Sequence, residues 1–383
     1  MILDSGARKK IFIVSTTTYA VDMFIWDSLR ELARFYDVTI VTNCVDPQHY
    51  SSIGITVRHI AFSRKPSLAQ DFLCLFKLWW LLVVNRPSMV HSFAPKTGLL
   101  AAVAAWLAWV PVRVHCFTGQ VWATMFGWKR WVLASFDWLI LFLNSVCVCD
   151  SDSQKAFLQS ELGAVGKLIV IGNGSLGGVD VEKYHRTPQD QSRFKEALGV
   201  GENFAFCFLA RKTRDKGAWD AVRAFAKYSV VFPEDKLFFL GPVEEKIPED
   251  IENILRERSS CVVVENKIVK DVDYLTATDV LVLPSYREGF GSVVIKAAAL
   301  GVPTVAYEVY GLTDSVSLNN GWLSRAGDID AFVDSMIKAR KILASETNSK
   351  YISGCVSWGH RFSSDMFATK WVEFHGKMLV AAD

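Results

Sequence analysis

The feature that most constrains this 383-residue chain is an alternation of short apolar runs of strand length with segments of helical apolar spacing. Lys10-Ile-Phe-Ile-Val-Ser15 is followed by helical spacing over Met23 to Phe35 and then by a second run, Val38 to Thr42. Short apolar runs of this kind suit strands buried on both faces, and a strand–helix–strand array of them implies a parallel sheet. The pattern recurs at Met89 to His91, Val112 to His115 and Val146 to Cys149, with Asp71 to Val84, Leu99 to Trp109 and Phe126 to Phe142 as the helical segments. It returns at Phe204 to Leu209, Leu237 to Leu240, Cys261 to Val264, Val280 to Pro284 and Val302 to Tyr307, the last strand expected. A chain of this length exceeds one ordinary core, so two α/β domains are expected. The glycine-rich Val170 to Asp180 is a candidate hinge, and Lys183 to Glu196 reads as a polar linker.

In open α/β sheets ligands bind beyond the carboxyl ends of the strands, so the candidate chemistry lies in the loops there. One such loop, Pro284-Ser-Tyr-Arg-Glu-Gly-Phe-Gly-Ser292, leads from an apolar strand into an apolar helix. Gly289 and Gly291 allow close backbone approach, Ser292 is a good helix N-cap, and the N–H groups of a helix start favour a phosphate. Glu288 stands beside that seat, able to accept hydroxyl hydrogen bonds. Taken alone, the stretch is equally an ordinary strand-to-helix turn. Ala210-Arg-Lys-Thr-Arg-Asp-Lys-Gly217 puts four cations and one acid after another strand, which is either a solvated turn or an anion site. Thr16-Thr-Thr-Tyr-Ala-Val-Asp22 follows the first strand and either caps the next helix or meets an acceptor.

Glu288-Gly-Phe-Gly291 with its helix resembles the signature of the retaining GT-B glycosyltransferases of group 1, family 4, of the bacterial surface-polysaccharide type. The resemblance covers nearly the whole chain and is most specific from residue 204 to 312. It implies an α/β fold of GT-B type, two doubly wound Rossmann-like domains facing across a cleft. Residues 1–180 would form the acceptor-side domain, with a terminal helix in 363–383 packing back on it, and 190–360 the nucleotide-sugar domain. Val170 to Asp180 resembles the family's N-G-V-D turn. Glu288 takes the place of the family's sugar-contacting glutamate, and Arg211 and Lys216 match its diphosphate-binding pair. Gly289, Phe290, Gly291 and Ser292 would line the donor. His115 matches the histidine that meets the donor sugar from the other domain, although a structural histidine is the alternative. Position 296 departs from the family, which has a ribose-binding glutamate there. Lys296 only donates hydrogen bonds, so it is either adapted to this donor, for example as a third phosphate cation, or inactivating.

The implied activity is transfer of a hexosyl or N-acetylhexosaminyl group from a nucleotide diphosphate sugar, expected to be a UDP-sugar. The acceptor would be a lipid-linked saccharide, expected on undecaprenyl diphosphate, in O-antigen or capsule assembly. No metal or other cofactor is expected, because side-chain cations hold the diphosphate. A GT-B sugar-nucleotide epimerase and a catalytically inactive partner protein are the alternatives. Three D-x-D sites, Asp150-Ser-Asp152, Asp271-Val-Asp273 and Asp328-Ile-Asp330, share the metal-binding pattern of the other common glycosyltransferase fold, and their repetition makes the pattern weak. Asp152 or Ser153 is expected to cap the following helix instead.

Net charge is only +2, but nine basic residues stand against the single acid Asp71 between Ser51 and Phe136, a local excess of +8. Seven of the 13 tryptophans lie in the same stretch, a mixture that suits an anionic membrane surface, and nothing points to nucleic acid. The eight cysteines include no C-x-x-C pair and are expected to be reduced core residues. Met1 to Lys10 is polar and basic, unlike a signal peptide, and the longest uncharged stretch, Thr97 to Val112, is too short to span a bilayer. The expected location is therefore cytoplasmic, peripheral on the inner membrane face.

Overall fold

The computed structural model describes residues 8–44, 48–63, 67–163, 166–345 and 348–382. Arg64 and Lys65 of the basic stretch, and most of the polar N-terminus, lie outside them. The chain divides into two compact units, Met1–Gly178 with Ser364–Asp383, and Val179–Ser363.

The first unit runs β1 (Lys10–Thr17), α1 (Thr18–Phe35), β2 (Asp37–Asn43), α2 (Gln48–Ser51), β3 (Thr56–His59), α3 (Leu68–Asn85), β4 (Met89–Phe93), α4 (Pro95–Leu107), β5 (Val112–Phe117), α5 (Trp128–Leu143), β6 (Val146–Cys149), α6 (Asp152–Leu162) and β7 (Leu168–Val170). Its seven strands are parallel, in the order β3-β2-β1-β4-β5-β6-β7. β4 and β6 are buried at every position, as expected of strands covered on both faces, whereas the edge strand β3 is largely exposed. One face is covered by α3 and α4, whose Cys74, Leu78, Leu82, Ala101, Ala104 and Ala105 pack on Phe12, Val14, Val41 and Val90.

The second unit runs α7 (Pro188–Ala197), β8 (Ala205–Leu209), α8 (Ala218–Tyr228), β9 (Lys236–Leu240), α9 (Glu249–Glu257), β10 (Val262–Glu265), α10 (Asp271–Ala277), β11 (Val280–Leu283), α11 (Ser292–Ala299), β12 (Thr304–Tyr307), α12 (Leu312–Ser315), β13 (Gly321–Ser324), α13 (Ile329–Leu343) and α14 (Asn348–His360). Its six parallel strands are ordered β10-β9-β8-β11-β12-β13. β12 is therefore not the last strand. The expected linker holds a helix, α7, because Thr187 and Asp190 form a reciprocal capping box and Pro188 opens it.

The final helix, α15 (Ser364–Val380), belongs to the first unit and packs on α1. Trp371 Nε1 donates to Leu176 O at 2.9 Å, and His375 Nε2 meets His91 Nδ1 at 3.1 Å. Burial pushes His375 down to about 4, and His91 lies well below its ordinary value for the same reason, so this pair is neutral at pH 7.

A buried carboxylate lies inside α5. Asp137 accepts from Trp122 Nε1 at 2.7 Å, yet burial pushes it up to about 7 against the partial opposition of that hydrogen bond. A folded-state value above the ordinary one means that its contribution is full below about pH 4 and is lost as pH rises through 7. Asp137→Asn keeps an acceptor for Trp122 and removes the charge. The variant should exceed the parent in stability at pH 8 by up to about 4 kcal/mol, converging with it near pH 4, as measured by urea unfolding. Equal stabilities at pH 8 would contradict this.

Candidate functional site

Within the second unit the strand order switches sides at β8: β9 and β10 lie to one side, β11 to β13 to the other. β8 and β11 therefore flank the point where the strand order switches, the place at whose carboxyl end open α/β sheets bind ligands. Residues 210–217 and 284–291 are those two loops. They touch closely, since a Cβ at Gly217, where φ is 66°, would lie 1.7 Å from the Pro284 carbonyl oxygen. Tyr286 N donates to Asp215 O at 2.9 Å, and the Asp215 carboxylate takes hydrogen bonds from Arg287 and Thr213. Ser285 Oγ donates to Lys216 O at 3.3 Å.

Each expected cation of this site faces a carboxylate. Lys216 Nζ lies 2.7 Å from Glu288 Oε1, both side chains about 15% exposed, and Ser285 Oγ sits 3.0 Å from the same oxygen. Arg211 pairs with Glu244 at 2.6 Å at a more open position. Lys212 is different in kind. It is fully buried, donates to Glu265 O at 2.9 Å and Asn266 Oδ1 at 2.6 Å, and lies 4.3 Å over the Phe239 ring. Burial pushes it down to about 8, and its hydrogen bonds to Glu265 O and Asn266 Oδ1 tie it to the end of β10. Glu244 and Glu245 went unread in the sequence, although they follow Gly241-Pro242 at the end of β9, beside β8.

At the second loop, Gly291 is the N-cap of α11 with φ 84° and no side-chain capping bond, and Ser292 is the first helical residue. The expected capping role of Ser292 is thus taken by glycine, whose conformation carries the cost-free positive φ. The Phe290 side chain is buried and packs on Phe362, so only its main chain and that of Gly289 can face a ligand. The first N–H groups of α11 have no acceptor within the helix and suit an anion.

Lys296 is held by Asp271: Nζ lies 2.8 Å from Oδ2, Tyr184 OH donates to the same oxygen at 2.7 Å, and the ammonium stands 5.3 Å over the Tyr184 ring. Burial alone would raise the Asp271 carboxyl, but the Lys296 charge and the two hydrogen bonds hold it below its usual range.

Asp271, Asp273, Asp328 and Asp330 of the D-x-D sites have structural duties. Ser151, not Asp152 or Ser153, caps α6 by accepting from Gln154 N at 3.1 Å. Asp273 pairs with Lys270, Asp328 caps α13, and Asp330 pairs with Lys227. Asp22 does not cap α1 either, but accepts from Tyr50 OH at 2.7 Å. Among the described residues no three His, Cys, Asp or Glu side chains cluster to hold a metal.

His115 belongs to the first unit, fourth in β5, and is 1% exposed. Its Nδ1 lies 3.0 Å from Ser92 Oγ, and a Cβ at Gly98 would fall 2.2 Å from its Cε1. Burial pushes the ring down to about 3, so it is a neutral hydrogen-bonding group at pH 7.

The family profile described as glycosyl transferases group 1 matches residues 188–351, and that of the glycosyl transferase 4-like domain matches residues 22–174. The capsular polysaccharide biosynthesis glycosyltransferase CapM of Staphylococcus aureus is 27% identical, covering 89% of each chain. The UDP-Gal:alpha-D-GlcNAc-diphosphoundecaprenol alpha-1,3-galactosyltransferase of Escherichia coli is 26% identical over 76% of this chain and 77% of its own. The crystal structure of Anabaena HepE in complex with UDP and glucose superposes with a TM-score of 0.79 at 18% identity, covering 96% of this chain and 100% of that one. The fold is GT-B.

The Lys296–Asp271 pair yields a test. Lys296→Glu would set two partly buried carboxylates against each other and lower stability by about 1 to 3 kcal/mol, while the exchange Lys296→Glu with Asp271→Lys recovers most of it. Urea unfolding of the three proteins measures this; a single variant as stable as the parent contradicts the pairing.

Proposed function

Since this chain belongs to the group 1 glycosyltransferases, we propose that it moves a sugar, with retention, from a UDP-sugar to a lipid-linked saccharide in capsule or other surface-polysaccharide assembly. The observation that carries the donor assignment is the pairing of Arg211 and Lys216 with carboxylates at the point where the second sheet's strand order switches. A diphosphate brings more charge than either carboxylate and can take both cations, supplemented by the start of α11. As the bond to the sugar breaks, negative charge grows on the leaving diphosphate, and these fixed donors stabilise it without a metal. Glu288, aligned by Ser285 and Lys216, accepts hydroxyl hydrogen bonds from the sugar. His115, neutral through burial, is assigned a hydrogen-bonding contact to the sugar and no proton transfer. The UDP bound to HepE and the diphosphoundecaprenol acceptor named for the E. coli relative support the donor and acceptor classes. Such an acceptor implies work at the cytoplasmic membrane face.

Incubation of the protein with UDP-sugars and undecaprenyl-diphosphate-linked saccharides tests the assignment. Labelled sugar should enter the lipid fraction, and isomerised nucleotide sugar alone would contradict it. Turnover should persist in EDTA, whereas loss in EDTA restored by manganese would contradict the metal-free mechanism. Arg211→Ala should lower kcat/KM about 10-fold to 150-fold, from about 1.5 to 3 kcal/mol of lost charge-assisted contact, with the fold unchanged by circular dichroism. Activity at the parent level would remove Arg211 from the diphosphate site.

His115→Ala separates its two roles. Truncating a ring that is 1% exposed lowers stability in either case, so kcat of the folded fraction decides, and a contact to the sugar predicts that it falls. A fall in stability of about 2 kcal/mol or more with kcat kept in the folded fraction would make it a packing residue.

A further inference from the structure

The outer face of the helix layer α3–α4–α5 is apolar along its whole length. On α3, Leu68, Phe72, Phe76, Trp80 and Val84 recur every four residues and are all exposed, from 52% at Phe76 to 93% at Leu68. The opposite side of α3 is spent in the core, through Cys74, Leu78 and Leu82, so this helix has a dry inner face and an unpartnered outer one. By length and mean hydropathy, 1.4 over 18 residues, α3 would pass for a membrane span, but packing on α4 and the sheet fixes it as part of the unit. At 1.5 Å per residue the exposed stripe extends about 25 Å. Neighbouring α5 repeats the arrangement, with Ala134, Ile140 and Leu141 inward and Trp128, Trp131 and Phe142 outward, and Trp109, at the turn after α4, is 89% exposed. Trp122 and Trp79, in contrast, are turned toward the interior.

The charge on this face has one sign. Two acids occur on the three helices: Asp71, which Lys96 neutralises at 2.5 Å, and the buried Asp137. Lys77, Arg86 and Lys129 are exposed, and Lys129 lies 6.0 Å over the Trp128 ring. Arg130 is committed elsewhere, 2.5 Å from Glu161 and 5.3 Å over Trp122, which removes it from the membrane-binding set expected from the sequence.

We propose that the outer face of α3–α5 lies in the interface of an anionic bilayer, with α3 parallel to the membrane plane. An apolar stripe flanked by lysine and rich in tryptophan meets both demands of that interface, since the rings enter the acyl boundary while the ammonium groups stay at the anionic headgroups. A second copy of this chain fits poorly, because pairing this face with itself brings cations together without acids. The N-termini of α3 and α5 follow strand ends, so the apolar face reaches the carboxyl edge of the first sheet. Delivery of a lipid-linked acceptor to that edge rests on the transfer function proposed above, while the membrane contact itself does not.

The full chain is mixed with phosphatidylglycerol-rich vesicles and, separately, with phosphatidylcholine vesicles, without any substrate. Co-sedimentation with the anionic vesicles is expected, falling steeply as salt rises from about 0.05 to 0.5 M, together with quenching of tryptophan fluorescence by brominated acyl chains. Phe72→Ser with Trp80→Ser should lower vesicle partition about 100-fold while leaving the circular dichroism spectrum and turnover of a short-chain soluble acceptor unchanged. Lys77→Gln with Lys129→Gln should lower it about 10-fold and flatten its salt dependence. Parent protein that stays in the supernatant, whether monomer or dimer by analytical ultracentrifugation, overturns the proposal, as does binding unaffected by both double variants. Soluble-acceptor turnover without vesicle binding removes the membrane face and leaves the transferase function; vesicle binding without turnover does the reverse.

Discussion

An ammonium held 2.7 Å from a carboxylate at the end of a parallel sheet is the contact on which the candidate site depends. Lys216 arrives on the loop after β8 and Glu288 on the loop after β11, and the two loops are neighbours only because β8 and β11 pair in register, Val280 beside Phe206 and Leu281 beside Cys207. A partly buried ion pair of this kind roughly balances its desolvation, so it adds little to stability. What it supplies is position: two opposite charges fixed where a charged ligand can replace one partner. Gly217 and Ser285 serve the same end, the first by letting the loops touch and the second by bridging them.

The charge at Lys296 belongs to the same balance. A glutamate is what the family pattern calls for there, yet the carboxylate is present in space, carried by Asp271 at the start of α10 and bound to the lysine in its place. The two residues are 25 positions apart, and Tyr184, near the start of the second unit, completes the group. In this structure the Lys296 ammonium is engaged by a carboxylate and lies over a phenol ring. It ties α11, whose first turn faces the proposed diphosphate, to α10 and to the segment before α7. The inversion at 296 is therefore balanced locally.

Much of this architecture is legible in the sequence because β6, β8 and β11 are covered on both faces and read as unbroken apolar runs. β3 escaped because it is an exposed edge whose Thr-Val-Arg-His resembles loop, and β13 because Gly-Trp-Leu-Ser carries no such run. α7 looked like linker since none of its residues is buried, although its capping box is a local signal that could have been read. The same division holds in the site. Arg211, Lys216 and Glu288 lie in strand-end loops that can be found by position alone. Glu244, the partner of Arg211, lies 33 residues away, and Asp271, the partner of Lys296, 25 residues away, and only the strand order brings them in. Tryptophan count likewise does not tell which rings face outward, because the helix phase separates Trp80 from Trp79.

A structure of the protein with bound UDP addresses the central assignment most directly. The account predicts diphosphate oxygens within about 3 Å of both the Arg211 guanidinium and the Lys216 ammonium, with the Glu244 contact to Arg211 released. A diphosphate seated elsewhere, with Arg211 still on Glu244 and Lys216 still on Glu288, would contradict it.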